Sequence, residues 1–176
     1  MIKKPYILER GTTLLETLVT TALLAFILMF VIYSVLNMNK SVTTVLVSRD
    51  INNTATAALD RMSRSIRDAM SVDEVNSIFD TSPGKLIITS ANAVGGEGEI
   101  SFYIDLDSNL LIKDGIAPAM PLLTDNVIVE SIIFRHLKTG KGDGVRVELT
   151  VINSKPDNVS QTRKFYSTIV LRESYQ

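Results

Sequence analysis

The sequence predicts an α+β chain: a long N-terminal helix, apolar in its first half, whose amphipathic second half packs on an antiparallel β-sheet. Three observations lead there. No charged residue occurs between Thr17 and Asn39. Neither Pro nor Gly interrupts residues 37–70, where apolar side chains recur at helical spacing. From residue 85 onward the pattern alternates with period two between clusters of Gly, Pro, Asn and Asp. The chain thus divides into a basic leader (1–11), an apolar helix half (12–36), an amphipathic half with its exit (37–79) and the sheet (80–176).

Thr17 to Leu36 consists of apolar residues with Thr, Ser and one Tyr. As a helix this stretch spans roughly 30 Å, the thickness of a bilayer's hydrocarbon core. Lys3, Lys4 and Arg10 precede it against one acid, Glu9. The positive-inside rule then keeps the leader cytoplasmic and sends the C-terminal part across. A conventional cleaved signal fits less well, because its apolar core is shorter and ends in a small-x-small site. Here "SVLNMNK" (34–40) offers no such site, and the A-x-A at Ala55-Thr56-Ala57 lies far downstream.

Glu16 stands at the start of this segment. An acid inside a membrane helix costs on the order of 3 kcal/mol on insertion scales, so such a residue is usually paired and functional. The bland alternative places Glu16 at the interface, where the helix dipole favours an acid near the N-terminus.

The second half of the helix carries Ile51, Ala55, Leu59, Met62, Ile66 and Ala69 along one face, with Arg61, Arg64, Arg67 and Asp68 largely off it. The spacing predicts helix from about Thr13 to Met70, with Asn52-Asn53-Thr54 as a place to fray or bend. After a turn at "DTSPGK" (80–85), strands are expected at 85–91, 100–106, 110–115, 126–137, 145–152 and 162–174. Loops are expected at 92–99, at 117–121 where two prolines fall, at 138–144 and at "SKPDN" (154–158). In the fourth strand, strict alternation puts Val127, Val129, Ser131 and Ile133 on one face and Ile128, Glu130, Ile132, Phe134 and His136 on the other. In the fifth, Val145, Val147, Leu149 and Val151 share a face.

Composition narrows the function. Lys and Arg total 18 against 19 Asp and Glu, so no basic excess suggests nucleic-acid binding. There is no Cys and one His, His136. This excludes disulfides and thiol chemistry and leaves little for His-based catalysis or metal binding. Asp105, Asp107 and Asn109 alternate like the start of a calcium loop, but Ile116 falls where its closing Glu belongs. A hairpin turn explains them better. The glycine-rich stretches 95–98 and 140–144 join no strand to a helix and read as turns, not phosphate loops. Asn52-Asn53-Thr54 and Asn158-Val159-Ser160 match glycosylation acceptors, a pattern too short to weigh. No catalytic residue, metal site or cofactor is expected.

The N-terminal run "RGTTLLETLV" (10–19), with the basic leader before it and about 20 apolar residues after, resembles the class III signal of type IV prepilins. The resemblance implies cleavage by a prepilin peptidase between Gly11 and Thr12, N-methylation of Thr12, and a mature chain whose fifth residue is Glu16. It also implies that the Glu16 carboxylate pairs with the α-amine of Thr12 on a neighbouring subunit, as a register device for filament assembly. Two departures stand out: Thr12 occupies a position usually held by Phe, and Tyr33 replaces a helix-kinking Pro common in major pilins. The second points toward a minor subunit.

The segments "LDRMSRSIRDA" (59–69), "ISFYIDLDSNLLIKDG" (100–115), "PLLTDNVIVESIIFR" (121–135), "VRVELTV" (145–151) and "FYSTIVLR" (165–172) resemble, more loosely, J-type minor pseudopilins of type II secretion and W-type minor pilins. The implied protein is a minor pilin or pseudopilin of pilin-like fold, a single-pass inner-membrane precursor assembled at or near a filament tip. Its implied partners are the peptidase, other major and minor pilins or pseudopilins through the N-terminal helix, an inner-membrane assembly platform, and membrane lipid before assembly. A DNA-uptake pilus stands as a further setting within that class. The rival from another class is a signal-anchored monomeric extracytoplasmic binding domain; an anchored hydrolase finds little support.

Overall fold

A computed structural model describes residues 13–139, 142–153 and 160–172, without the side chains of Asn39, Lys40 and Thr139. It shows an α+β chain with one long N-terminal helix and antiparallel sheets. Helix α1 runs Leu14–Arg67 without interruption. The chain divides into two compact units, Met1–Thr44 and Val45–Gln176. α1 continues through Asn52, Asn53 and Thr54 without fraying. Thr54 is buried and its hydroxyl lies 3.3 Å from that of Thr124, which gives this polar residue a partner within the packing.

The second unit is organised around the stripe foreseen on α1. Ile51, Ala55, Met62, Ile66 and Ala69 are at most 1 % exposed, and Ala58 joins them. Arg64 and Arg67 fall in the last turn, where cations complement the carbonyl end of the helix dipole. The chain then passes directly into a sheet, with the Met70 amide donating to the Thr89 carbonyl at 2.8 Å.

There are two antiparallel sheets, not the single sheet expected. The first has five strands in sequential order: β1 (Ser71–Val72), β2 (Leu86–Ala93), β3 (Gly96–Ile104), β4 (Leu110–Asp114) and β5 (Met120–Pro121). The second has three: β6 (Val127–Thr139), β7 (Gly142–Asn153) and β8 (Thr162–Val170). Period-two patterning marks each strand but carries no signal for where one sheet stops and the next begins. The buried faces of both, including Phe102 and Leu110 of the first and Phe134 and Leu149 of the second, join the α1 stripe in one apolar cluster. Polar contacts tie the helix to each sheet as well: Arg61 to Asp114 at 3.9 Å, and Ser63 to Ser167 at 3.4 Å. The segment before β2 links the sheets, the amides of Asp80 and Gly84 donating to the carbonyls of Phe134 and Ile132 at 2.9 Å each.

Several expected loops are shorter than the sequence suggested. The stretch 92–99 lies mostly in strands: β2 extends to Ala93 and β3 begins at Gly96. Positive φ at Gly95 and Gly96 makes the reversal within two residues, so the following glycine is free to join the ladder. In 117–121, Met120 and Pro121 form a short edge strand on β4, a position where a missing N–H leaves no ladder bond unmade. The turn expected at 138–144 is tighter, because Thr139 pairs with Gly142; Gly140 and Lys141 lie outside the described residues. So does the turn expected at 154–158.

The face assignment of β6 is corrected by a β-bulge. Val129 pairs with Val151 but Ser131 pairs with Thr150, which leaves Glu130 as the extra residue. One added residue inverts the alternation beyond it. Val127 and Val129 therefore share the buried face with Ile132 and Phe134, and Ser131 and Ile133 do not. β7 has no such break: Val145, Val147, Leu149 and Val151 are all buried, as their alternation required.

Met62 is wholly buried at the middle of the helical stripe, so Met62→Ala is expected to cost about 2–5 kcal/mol. Exposed Arg64→Ala is expected to change stability by no more than about 0.5 kcal/mol. Urea unfolding of the full chain in detergent, followed by the β-sheet circular dichroism signal, checks both.

Candidate functional site

The first turn of α1 is built from Thr13-Leu14-Leu15-Glu16. The Glu16 amide donates to the Thr13 hydroxyl at 3.3 Å and lies 3.0 Å from the Thr13 carbonyl oxygen. Thr13 is therefore the N-cap and Glu16 the third helical residue, an arrangement in which the hydroxyl occupies a donor that the helix itself leaves without a partner. The T-x-x-E spacing was legible in the sequence as a capping box, although only the apolar run drew attention to Glu16. Of the site residues inferred from sequence, Gly11 and Thr12 lie outside the described residues, as do Lys3, Lys4, Glu9 and Arg10.

From Leu14 the helix surface is apolar all round. Leu14, Leu15, Leu18, Leu24, Phe26, Met29 and Phe30 are each more than 60 % exposed, so this half of α1 is not covered by the protein's own core. α1 contains the one stretch among the described residues that is long and apolar enough to cross a membrane, with a mean hydropathy of 2.5.

Three threonine hydroxyls near the start of that stretch are satisfied by the helix itself. Thr17 donates to the Leu14 carbonyl and Thr20 to the Glu16 carbonyl, each at 2.9 Å, and Thr21 donates to the Thr17 carbonyl. Such back-bonding lets a hydroxyl enter an apolar environment without an unmade hydrogen bond. Glu16 differs. Its carboxylate has no ion-pair or hydrogen-bond partner among the described residues. An acid beside an apolar surface, unpaired among the described residues, is a group that a nearby cation would stabilise strongly.

The remaining polar constellations have structural explanations. Asp105 accepts the backbone amides of Asn109 at 2.8 Å and Asp107 at 3.0 Å, and Asn109 Nδ2 at 3.3 Å. These bonds, the Asn109 amide foremost, hold its carboxyl below the ordinary Asp value. The carboxylate is thereby committed to closing the β3–β4 hairpin, where Ser108 has a φ of 61°.

His136 packs against the ring of Phe79 at 5.6 Å, with Nδ1 3.5 Å from Glu74 and Nε2 3.9 Å from Asp143. Glu74 also accepts a bond from Lys138 at 2.8 Å, which lowers the Glu74 pKa and raises that of Lys138. The cluster ties the segment after β1 to the β6–β7 hairpin. No Ser, Thr or Lys nucleophile stands in hydrogen-bond contact with His136 among the described residues.

The N-terminal turn and apolar surface of α1 thus form the strongest candidate site, an uncovered apolar surface headed by a carboxylate without a partner among the described residues. Comparison of the chain with protein-family models, with curated proteins and with solved structures finds no match in any of the three.

Proposed function

We propose that this chain is a minor pilin or pseudopilin, a structural subunit that associates through α1 and performs no catalysis. The observation that carries the reading is Glu16: a carboxylate unpaired among the described residues, at the head of an uncovered apolar helix, five residues after Gly11 and a basic leader. On this reading a prepilin peptidase cuts between Gly11 and Thr12 on the cytoplasmic face and methylates the Thr12 amine. The leader holds that nitrogen in an amide, which carries no charge. Cleavage creates an ammonium, and Glu16 of an adjoining subunit then has a partner.

The energetic logic sets the register. Sliding one helix along another by a single turn displaces the two charges by about 5.4 Å and leaves Glu16 unpaired in apolar surroundings. An unpaired acid there costs on the order of 3 kcal/mol, so one alignment is favoured over its neighbours. Apolar contact alone is non-directional and would not make that choice.

Before assembly the apolar half resides in the inner membrane, with the leader cytoplasmic and the strands outside. After assembly it lines the core of a type IV pilus or type II secretion pseudopilus, at or near the tip, in contact with other pilin-like subunits and the assembly platform.

The T-x-x-E spacing at Thr13–Glu16 supports a second reading, in which Glu16 serves only the helix start of a monomeric, membrane-anchored binding domain. Glutamine fills the third position of a capping box as glutamate does, but carries no charge. Glu16→Gln is therefore expected to leave leader cleavage and folding intact while abolishing incorporation into sheared filament fractions. Wild-type incorporation of this variant would favour the capping reading. Separately, Gly11→Leu is expected to leave the leader attached, seen as a slower-migrating band in cells that carry a prepilin peptidase. Normal processing of Gly11→Leu would contradict the assigned cut site.

A further inference from the structure

The face of β2–β4 turned away from α1 bears a cleft of about 760 Å³, within the size range of ligand sites. Its floor follows the strand register. Ile87, Ser101 and Lys113 lie side by side across β2, β3 and β4, and Tyr103 and Glu99 flank Ser101 on the same face of β3. Ile78 and Pro83 form one wall, and the turns bearing Val94 and Ile116 form the other. Ile116 is 85 % exposed although it borders the cleft, so an apolar rim faces solvent.

Charge divides this cleft by sign. Lys85 stands beside the Tyr103 end of the floor and Lys113 beside Ser101, whereas Glu99 and Glu97 continue β3 toward the opposite end. None of these four side chains makes an ion pair or hydrogen bond with another described residue. Gly98 and Gly115 border the Glu97 end of the cleft.

We propose that this cleft binds an extended peptide segment of dipolar charge. Its acidic side chains meet Lys85 and Lys113, its basic side chains meet Glu97 and Glu99, and apolar residues between them pack on the isoleucine walls. The distance along β3 from Glu97 to Tyr103 is about 20 Å at a strand's rise, room for about six extended residues. Other ligand classes match less of the site. A neutral saccharide leaves all four charges without counterparts, and an anionic glycan or lipid headgroup meets repulsion from Glu97 and Glu99.

The test uses the full chain in nanodiscs and fluorescein-labelled hexapeptides read by anisotropy. Four probes suffice: two acidic residues, two leucines and two lysines in that order; the reversed sequence; and all-acidic and all-basic versions around the same leucines. One dipolar peptide is expected to bind about tenfold more tightly than either uniformly charged peptide. Lys85→Glu with Lys113→Glu should remove that preference. Adding Glu97→Lys and Glu99→Lys restores the original net charge and should transfer the preference to the reversed sequence, a gain that misfolding cannot produce. Equal binding of all four probes, preference for the all-acidic probe as an anionic-ligand site would show, or no binding of any probe would each overturn the proposal.

Discussion

The second unit depends on one stripe of side chains, Ile51 to Ala69 on α1, being buried by two sheets at once. With no cysteine in the chain, no disulfide shares that task. Almost every feature of the strands serves this burial. The inward faces of β2–β4 and β6–β7 are built mainly of Ile, Leu, Val and Phe around the helix, and one bulge at Glu130 brings the longest strand into phase with it. A polar pair on each flank, Arg61 with Asp114 and Ser63 with Ser167, fixes the rotation of the helix between the sheets. Such pairs add little energy at a surface but discriminate against a rotated helix.

The first unit obeys a different rule. Its apolar side chains from Leu14 to Leu36 are exposed among the described residues, and the hydroxyls of Thr17, Thr20 and Thr21 bond back to their own helix. The hydroxyls of Thr17, Thr20 and Thr21 are thus made compatible with an apolar medium, whereas the carboxylate of Glu16 has no partner among the described residues. On the proposed reading a membrane, and after assembly a bundle of like helices, supplies the medium. On the proposed reading the charge created at Thr12 supplies the counterion, which couples assembly to removal of the leader. Along the same helix the side chains pass from exposed at Val45 and Leu46 to buried at Ile51.

The helix, its buried stripe and most strands were legible in the sequence because each rests on a local period. Met62 and Ile66 repeat at helical spacing, and Val145 to Val151 alternate without fault. What escaped was non-local. Two sheets instead of one follows from how segments pair, and the bulge at Glu130 is set by the register against Val151 and Thr150, which no window on β6 alone reveals. At the candidate site, Glu16 was legible from its charge amid apolar residues. The Thr13 cap carried a sequence signal that the stronger apolar pattern overshadowed. The cleft on β2–β4 was illegible, since Lys85, Lys113, Glu97 and Glu99 look like ordinary solvated residues until the strand register gathers them by sign.

The central claim is that this chain is a precursor whose new N-terminal amine completes the charge pairing of Glu16. Intact mass and N-terminal peptide mapping of the wild-type chain, after co-expression with a prepilin peptidase, test it most directly. The account predicts a chain that begins at Thr12, with or without one added methyl group. A chain that still begins at Met1 would contradict it and leave Glu16 as the third residue of a capped helix in a membrane-anchored monomer.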